Sequence, residues 1–148
     1  MIDIVPEIVP AIVLSYLLGS LPVAYQVSLR RGVDLFATGT GLSGSTNVLR
    51  SVGKLPRLIV LIWDMTKGIL SVFMSNMMGL DGPMVLLPVS TVLIGHWKPI
   101  FTRFRGGDGI ATLGGATIAI YPVFGPICIG VAILVSLGGQ KLPYSSLI

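Results

Sequence analysis

The sequence predicts an all-α fold: a polytopic transmembrane helix bundle of four to five membrane segments with two glycine-rich loops. Three observations carry that expectation. The 148 residues are 53% hydrophobic with a mean hydropathy of +0.90, and only ten Lys/Arg and six Asp/Glu are present. A water-soluble domain of this size needs more charge to clothe its surface, and a disordered chain carries less hydrophobicity. Long charge-free stretches approach or exceed the length of a bilayer span, and the basic residues gather between them.

The first element is Ile8 to Leu29, 22 residues without a charge. As a helix it is about 33 Å long against a hydrocarbon core of about 30 Å. Asp3 and Glu7 precede it in place of a basic stretch, and its apolar run exceeds that of a signal peptide, so it is expected to stay in the membrane. Leu58 to Leu80 is the second span. It carries Asp64 and Lys67 on one helical face, deep enough that they pair or face a polar interior, as a brace or in chemistry.

The third element, Gly82 to Trp97, has 16 residues, so it borrows neighbours to complete a span. Gly109 to Gln140 has 32 uncharged residues, too many for one upright span and too few for two full ones. Tyr121-Pro122 and Gly125-Pro126 fall near its middle and favour two short segments over one long kinked helix. Residues 1–148 thus read as a single transmembrane domain.

The basic residues set the orientation. Arg30, Arg31, Arg50, Lys54 and Arg57 follow the first span, and Lys98, Arg103 and Arg105 follow the third. Asp3, Glu7 and Asp81 fall on the opposite side. The positive-inside rule places both basic loops in the cytoplasm and the N-terminus outside. One cysteine, Cys128, and one histidine, His96, exclude a disulfide framework and a Cys- or His-rich metal site; no metal is expected.

The first loop, Gly39-Thr40-Gly41-Leu42-Ser43-Gly44-Ser45-Thr46-Asn47-Val48-Leu49-Arg50, joins backbone freedom to hydroxyl donors and a bidentate cation. Those are the parts of a phosphate site, although such a stretch also serves as a plain turn. It lacks the Gly-Lys-Ser/Thr of a nucleotide-binding P-loop. The second loop runs Gly95-His96-Trp97-Lys98-Pro99 and on through Arg103, Arg105 and Gly106-Gly107-Asp108-Gly109 into an apolar segment. A glycine turn opening a helix attracts anions, and the same arginines suit lipid headgroups. His96 suits proton transfer, a substrate contact or an interfacial hydrogen bond. The two loops together point to one anionic ligand shared between them.

Ser15-Tyr16-Leu17-Leu18-Gly19-Ser20-Leu21-Pro22, the Gly39–Arg50 loop, Asp64-Met65-Thr66-Lys67-Gly68 and the stretch from Gly95-His96 to Thr112 occur in an order that resembles a known family. It is that of the bacterial acyl-phosphate-dependent glycerol-3-phosphate acyltransferases, polytopic enzymes of the cell inner (plasma) membrane. The resemblance implies transfer of a fatty acyl group from acyl phosphate to the 1-hydroxyl of sn-glycerol 3-phosphate in phospholipid biosynthesis, without a cofactor. The implied partners are those two substrates and membrane lipid, not nucleic acid.

By the same resemblance Thr40, Arg50 and His96 are catalytic. The resemblance also gives Thr46, Asn47, Gly106, Gly107 and Gly109 to substrate binding, and the anion-attracting character of the loops adds Gly41, Gly44, Arg103 and Arg105. Thr40 stands where the family has serine. Leu42 and Ser43 replace the usual Asn and its successor, Lys98 replaces a phenylalanine, and Asp108 replaces the lysine of the second glycine motif. The family has seven membrane helices and a third motif near its C-terminus. Residues 141–146 resemble the stretch before the last helices, so the chain matches the N-terminal two-thirds of a member. A catalytically silent relative that binds phosphate or lipid, or regulates a partner enzyme, is the alternative. A small transporter or channel would use Asp64 and Lys67 but leaves the glycine loops without a role.

Overall fold

The computed structural model describes residues 5–139; Asp3 and residues 141–146 lie outside them. Among the described residues every regular element is helical. The elements are α1 (Val5–Ser20), α2 (Val23–Leu29), α3 (Ser45–Ser51), α4 (Lys54–Met77), α5 (Leu86–Trp97), α6 (Ile110–Ile120) and α7 (Phe124–Gly139). Short 3₁₀ turns at Gly82–Val85 and Ile100–Thr102 flank α5. Pro6–Leu29, Lys54–Met77 and Gly82–Thr102 are long and apolar enough to cross a membrane, and Ile110–Ile120 and Phe124–Val135 are shorter apolar helices.

The uncharged stretch after Gly109 is two segments, as the Pro/Gly pattern predicts: α6 stops at Ile120 and Gly125 N–H donates to Tyr121 O at 2.7 Å. Three expectations are corrected. The first span is broken, because Pro22 has no N–H and disfavours helical backbone at Leu21. Val23 N–H, which an unbroken helix would direct to Gly19 O, donates to Leu21 O instead. The second span runs Lys54–Met77 rather than Leu58 to Leu80, while the third, as expected, borrows neighbours and extends to Thr102. Thr46, Asn47 and Arg50 lie on a helix rather than in a loop. Between Gly44 and Gly53 no glycine or proline interrupts α3, and its inner residues Asn47 and Val48 are buried.

Two pairs of parallel helices make the bundle: α1 against α5, and α4 against α6. Both pairs approach through glycine. A Cβ on Gly19 would collide with Val92 O, and one on Gly95 with Tyr16 O. Gly68 meets Thr112 O and Gly115 meets Met65 O in the same way. Small residues let backbones close on one another where lipid offers no hydrophobic drive between helices.

The polarity is inverted relative to a soluble bundle. Ile62, Phe73, Ile127 and Leu134 are exposed, whereas Ser15, Ser71, Asp64, Lys67 and Thr112 are buried. Ser15 Oγ and Ser71 Oγ share a hydrogen bond of 2.9 Å between α1 and α4. Lipid solvates the apolar exterior, so polar groups find their partners inside. One apolar cluster, Ala24, Leu35, Val48 and Val60, seats α3 and the preceding loop on α2 and α4. A second, Val72, Val85, Val89 and Ala116, fills the other half.

Candidate functional site

The first glycine loop is shaped by one buried side chain. Asn47 Nδ2 donates to Leu35 O at 2.9 Å, Leu42 O at 3.0 Å and Thr38 O at 3.1 Å. Its Oδ1 accepts Thr40 N–H and the Ser51 hydroxyl, each at 3.1 Å. Asn47 is 1% exposed, so its amide is consumed in folding the loop over α3 and has no free donor for a ligand. Gly39 and Gly41 turn the chain at φ +59° and +70°, backbone that residues with a Cβ rarely adopt. Thr40, Thr46 and Arg50 are left exposed on the outside of this loop and helix.

The second loop is held by its own backbone. Arg103 and Phe104 take left-handed φ of 54° and 63°. Phe104 N–H donates to Pro99 O at 2.8 Å, and the Thr102 hydroxyl donates to Arg105 O at 2.7 Å. Strained residues secured in this way concentrate at functional sites. Arg105 lies over the Phe36 ring, 4.3 Å from its centroid, and Phe36 in turn stacks on Tyr25. Its guanidinium therefore ties the second loop to the first. Asp108 Oδ1 accepts Ile110 N–H at 3.3 Å, a carboxylate at the positive end of α6.

The loops meet at Ser43, Gly106 and Gly107. Ser43 N–H donates to Gly106 O at 3.0 Å, and Gly107 N–H donates to His96 O at 3.1 Å. The Gly107 N–H is thereby committed, which corrects the expectation of a run of free donors there. What Gly107 supplies is proximity: a Cβ would strike His96 Nε2 and Ser43 O. One on Gly106 would strike His96 O and Trp97 O.

Under this junction lies a buried polar group that the sequence left in two pieces. Lys67 Nζ is 2.8 Å from Asp64 Oδ1, and His96 Nδ1 is 3.5 Å from the same oxygen. Thr112 Oγ1 is 3.5 Å from His96 Nδ1, and Lys67 also donates to Gly19 O at 3.3 Å. His96 Nε2 is buried without a hydrogen-bond partner. A cleft of about 10 Å³, room for about one water, opens between the α1–α2 break and Ser43, Asp64, Lys67, His96 and Gly106.

Of the residues the sequence singled out for the site, His96 and Gly106 line this cleft, whereas Thr40, Thr46 and Arg50 lie outside its walls. Ser43, Asp64 and Lys67 line it without having been assigned to the site; the depth of two charges in an apolar span was the signal for the latter two. Among the described residues, no group of three or more His, Cys, Asp or Glu is placed to hold a metal.

A family model described as glycerol-3-phosphate acyltransferase matches residues 9–148. Glycerol-3-phosphate acyltransferase 1 of Deinococcus radiodurans is 44% identical over 115 residues, covering 78% of this chain and 58% of the relative. The Laribacter hongkongensis glycerol-3-phosphate acyltransferase is 41% identical over 134 residues, covering 87% and 67%. The crystal structure of PlsY (YgiH), an integral membrane glycerol 3-phosphate acyltransferase, in its glycerol 3-phosphate form superposes with a TM-score of 0.78 at 31% identity. That match covers 88% of this chain and 64% of the other. The lysophosphatidic acid form gives 0.75 at 30% identity. The chain thus spans about three-fifths of the length of the first of these relatives (58%).

Proposed function

The chain belongs to the glycerol-3-phosphate acyltransferase family, and we propose from that premise that it transfers a fatty acyl group from acyl phosphate to the 1-hydroxyl of sn-glycerol 3-phosphate. The products are 1-acylglycerol 3-phosphate and inorganic phosphate, a step of phospholipid biosynthesis. The observation that carries this reading is the junction of two glycine loops over His96 at the basic end of an apolar bundle. A fatty tail and a water-soluble phosphate can both reach such a place. The PlsY structures with glycerol 3-phosphate and with lysophosphatidic acid support it.

Thr40 and Arg50 hold phosphate at the outer side of the site, through a hydroxyl and a planar guanidinium that grips two oxygens at once. Arg103 and the Gly44, Thr46 and Gly109 backbone complete the anion-attracting rim, while the Gly41 N–H is committed to Thr38 O at 3.1 Å. Asn47, Arg105, Gly106 and Gly107 shape the site rather than touch the ligand, because their polar groups or their lack of a Cβ serve the fold. The glycerol hydroxyl attacks the acyl carbon directly: among the described residues, no hydroxyl of the chain is hydrogen-bonded to His96 Nε2 as a nucleophile would be. The site faces the cytoplasm, with the N-terminus outside a plasma membrane.

The test is phosphate release from acyl phosphate in membranes lacking the host acyltransferase. Release that requires glycerol 3-phosphate and disappears in His96→Ala supports the reading; release independent of glycerol 3-phosphate contradicts it. Asp108 favours a second reading, a relative that binds phosphate without transfer, since its carboxylate occupies the helix end that would draw an anion. Glycerol 3-phosphate binding with no release would select that second reading.

A further inference from the structure

The turn from Trp97 to Phe104, at the end of α5, carries chemistry that the cleft and the bundle interior do not use. Trp97, Ile100, Phe101 and Phe104 are 59%, 50%, 57% and 55% exposed, and Lys98 and Arg103 are exposed among them. The Lys98 ammonium stands over the Trp97 ring, 4.9 Å from its centroid. No Asp or Glu occurs from Gly82 to Gly107, and among the described residues neither cation has an ion pair.

The exposure is built into the backbone. The Tyr16 hydroxyl donates to Lys98 O at 2.9 Å and holds the last turn of α5 against α1. Pro99 is buried, and Phe104 N–H returns to its carbonyl across the 3₁₀ turn at Ile100–Thr102. Arg103 and Phe104 keep their left-handed φ, yet the bend does not bury the Phe104 ring. In water, such a cluster of large apolar side chains would be unfavourable. Residues 97–102 instead end the third span (Gly82–Thr102), where lipid headgroups begin. Aromatic rings favour that level, and a lysine stem lies along apolar surface while its ammonium meets phosphate.

We propose that the Trp97–Phe104 turn is a docking surface for anionic phospholipid of the bilayer, with the rings of Trp97, Phe101 and Phe104 among the upper acyl chains and Lys98 on a headgroup phosphate. Arg103 adds positive field to this turn as well as to the rim. The occupant is bilayer lipid rather than acyl phosphate, although both join a phosphate to a fatty tail. None of these side chains lines the cleft, so an acyl donor held on them would lie outside it. The charge selects an anionic headgroup over a zwitterionic one, because no carboxylate in the turn is at hand for an amine. The inference goes beyond the transfer reading and does not depend on it. It bears on the site because the backbone runs from Phe104 through Arg105 into Gly106 and Gly107, which press on His96. Lipid at the turn therefore anchors one side of the loop junction.

The chain has two tryptophans, Trp63 and Trp97. The Trp63 ring N–H is buried without a partner, so Trp63→Phe removes no hydrogen bond and leaves Trp97 as the single fluorophore; the unfolding temperature checks that it folds. The probe is dibrominated phosphatidylglycerol or dibrominated phosphatidylcholine, at the same mole fraction in phosphatidylcholine bilayers. Bromine quenches by contact, so the ratio of the two quenching constants gives the preference of the Trp97 surroundings for an anionic neighbour. A preference of about fivefold is expected, the worth of one cation beside an anionic surface, falling below about twofold in Lys98→Gln or in about 1 M salt. The salt arm makes the test without a further substitution. Equal quenching by the two lipids overturns the proposal, and so does a preference that survives both Lys98→Gln and salt. Quenching by iodide from water in place of either lipid overturns it in favour of a soluble partner. Protection of Trp97 by one acyl phosphate per protein overturns it in favour of the acyl donor.

Discussion

The loop before α3 and the loop before α6 are both rich in glycine, yet their glycines answer different demands. In the first, Gly39 and Gly41 supply positive φ, Gly39 also leaves room for the Asn47 amide that a Cβ would strike, and the loop hangs on that side chain. In the second, Gly106 and Gly107 supply room: the backbone lies so close to His96 and Ser43 that no Cβ fits. One loop is therefore a shaped rim that leaves hydroxyls and Arg50 outside. The other is a lid pressed onto a buried histidine. A glycine count alone treats the two as equivalent, and the physical distinction is what lies against the glycine backbone, the loop-shaping Asn47 amide in the first and the His96 ring in the second.

The largest expected effect breaks the first loop. Asn47→Ala strands the carbonyls of Leu35, Thr38 and Leu42 and should cost about 3 kcal/mol of stability, read as a drop in unfolding temperature in micelles. A loss below about 1 kcal/mol would mean that water replaces the amide and the loop is not organised by it. Next comes Gly107→Ala, which forces the second loop off His96 at about 2 kcal/mol, as overpacking does elsewhere. An unchanged unfolding temperature would show that the junction is looser than its hydrogen bonds imply.

A smaller effect distinguishes electrostatics from shape. Asp108→Lys replaces a carboxylate at the positive end of α6 and should cost about 0.5–1 kcal/mol of stability. In the same protein it should tighten glycerol 3-phosphate binding, because a cation replaces an anion beside the phosphate. Weaker binding would make Asp108 a working part of the site. The smallest expected change is Gly44→Ala: its backbone is extended at φ −139° and a Cβ would meet nothing within 4 Å. Stability should stay within about 0.5 kcal/mol, and a larger loss would erase the contrast between the loops.

Much of this architecture was legible in the residues. Charge-free lengths locate the spans, Tyr121-Pro122 locates the turn between α6 and α7, and Gly125-Pro126 falls in the first turn of α7. The break at Leu21-Pro22 is invisible to hydropathy because both flanks are equally apolar; Pro22 alone marks it. Helix α3 reads as loop in the sequence because Ser, Thr and Asn are poor helix formers. Its stability comes instead from burying Val48 against Val60 and Leu35. The pairing of Asp64 with His96 depends on the register of α4 against α5, which no local pattern records. The Ser43–Gly106 bond joins backbone groups and leaves no mark on residue type at all.

The contrast between the loops is tested most directly by acyl-phosphate-dependent turnover of Gly107→Ala, with Gly130→Ala on α7 as the companion variant, where an added Cβ meets open space. If the second loop seals the reactive histidine, Gly130→Ala releases phosphate at the wild-type rate in the presence of glycerol 3-phosphate. Gly107→Ala is then slower by at least about 100-fold, the scale of losing one positioned acid or base. Equal rates for the two variants would contradict a site built around His96 and the loop above it.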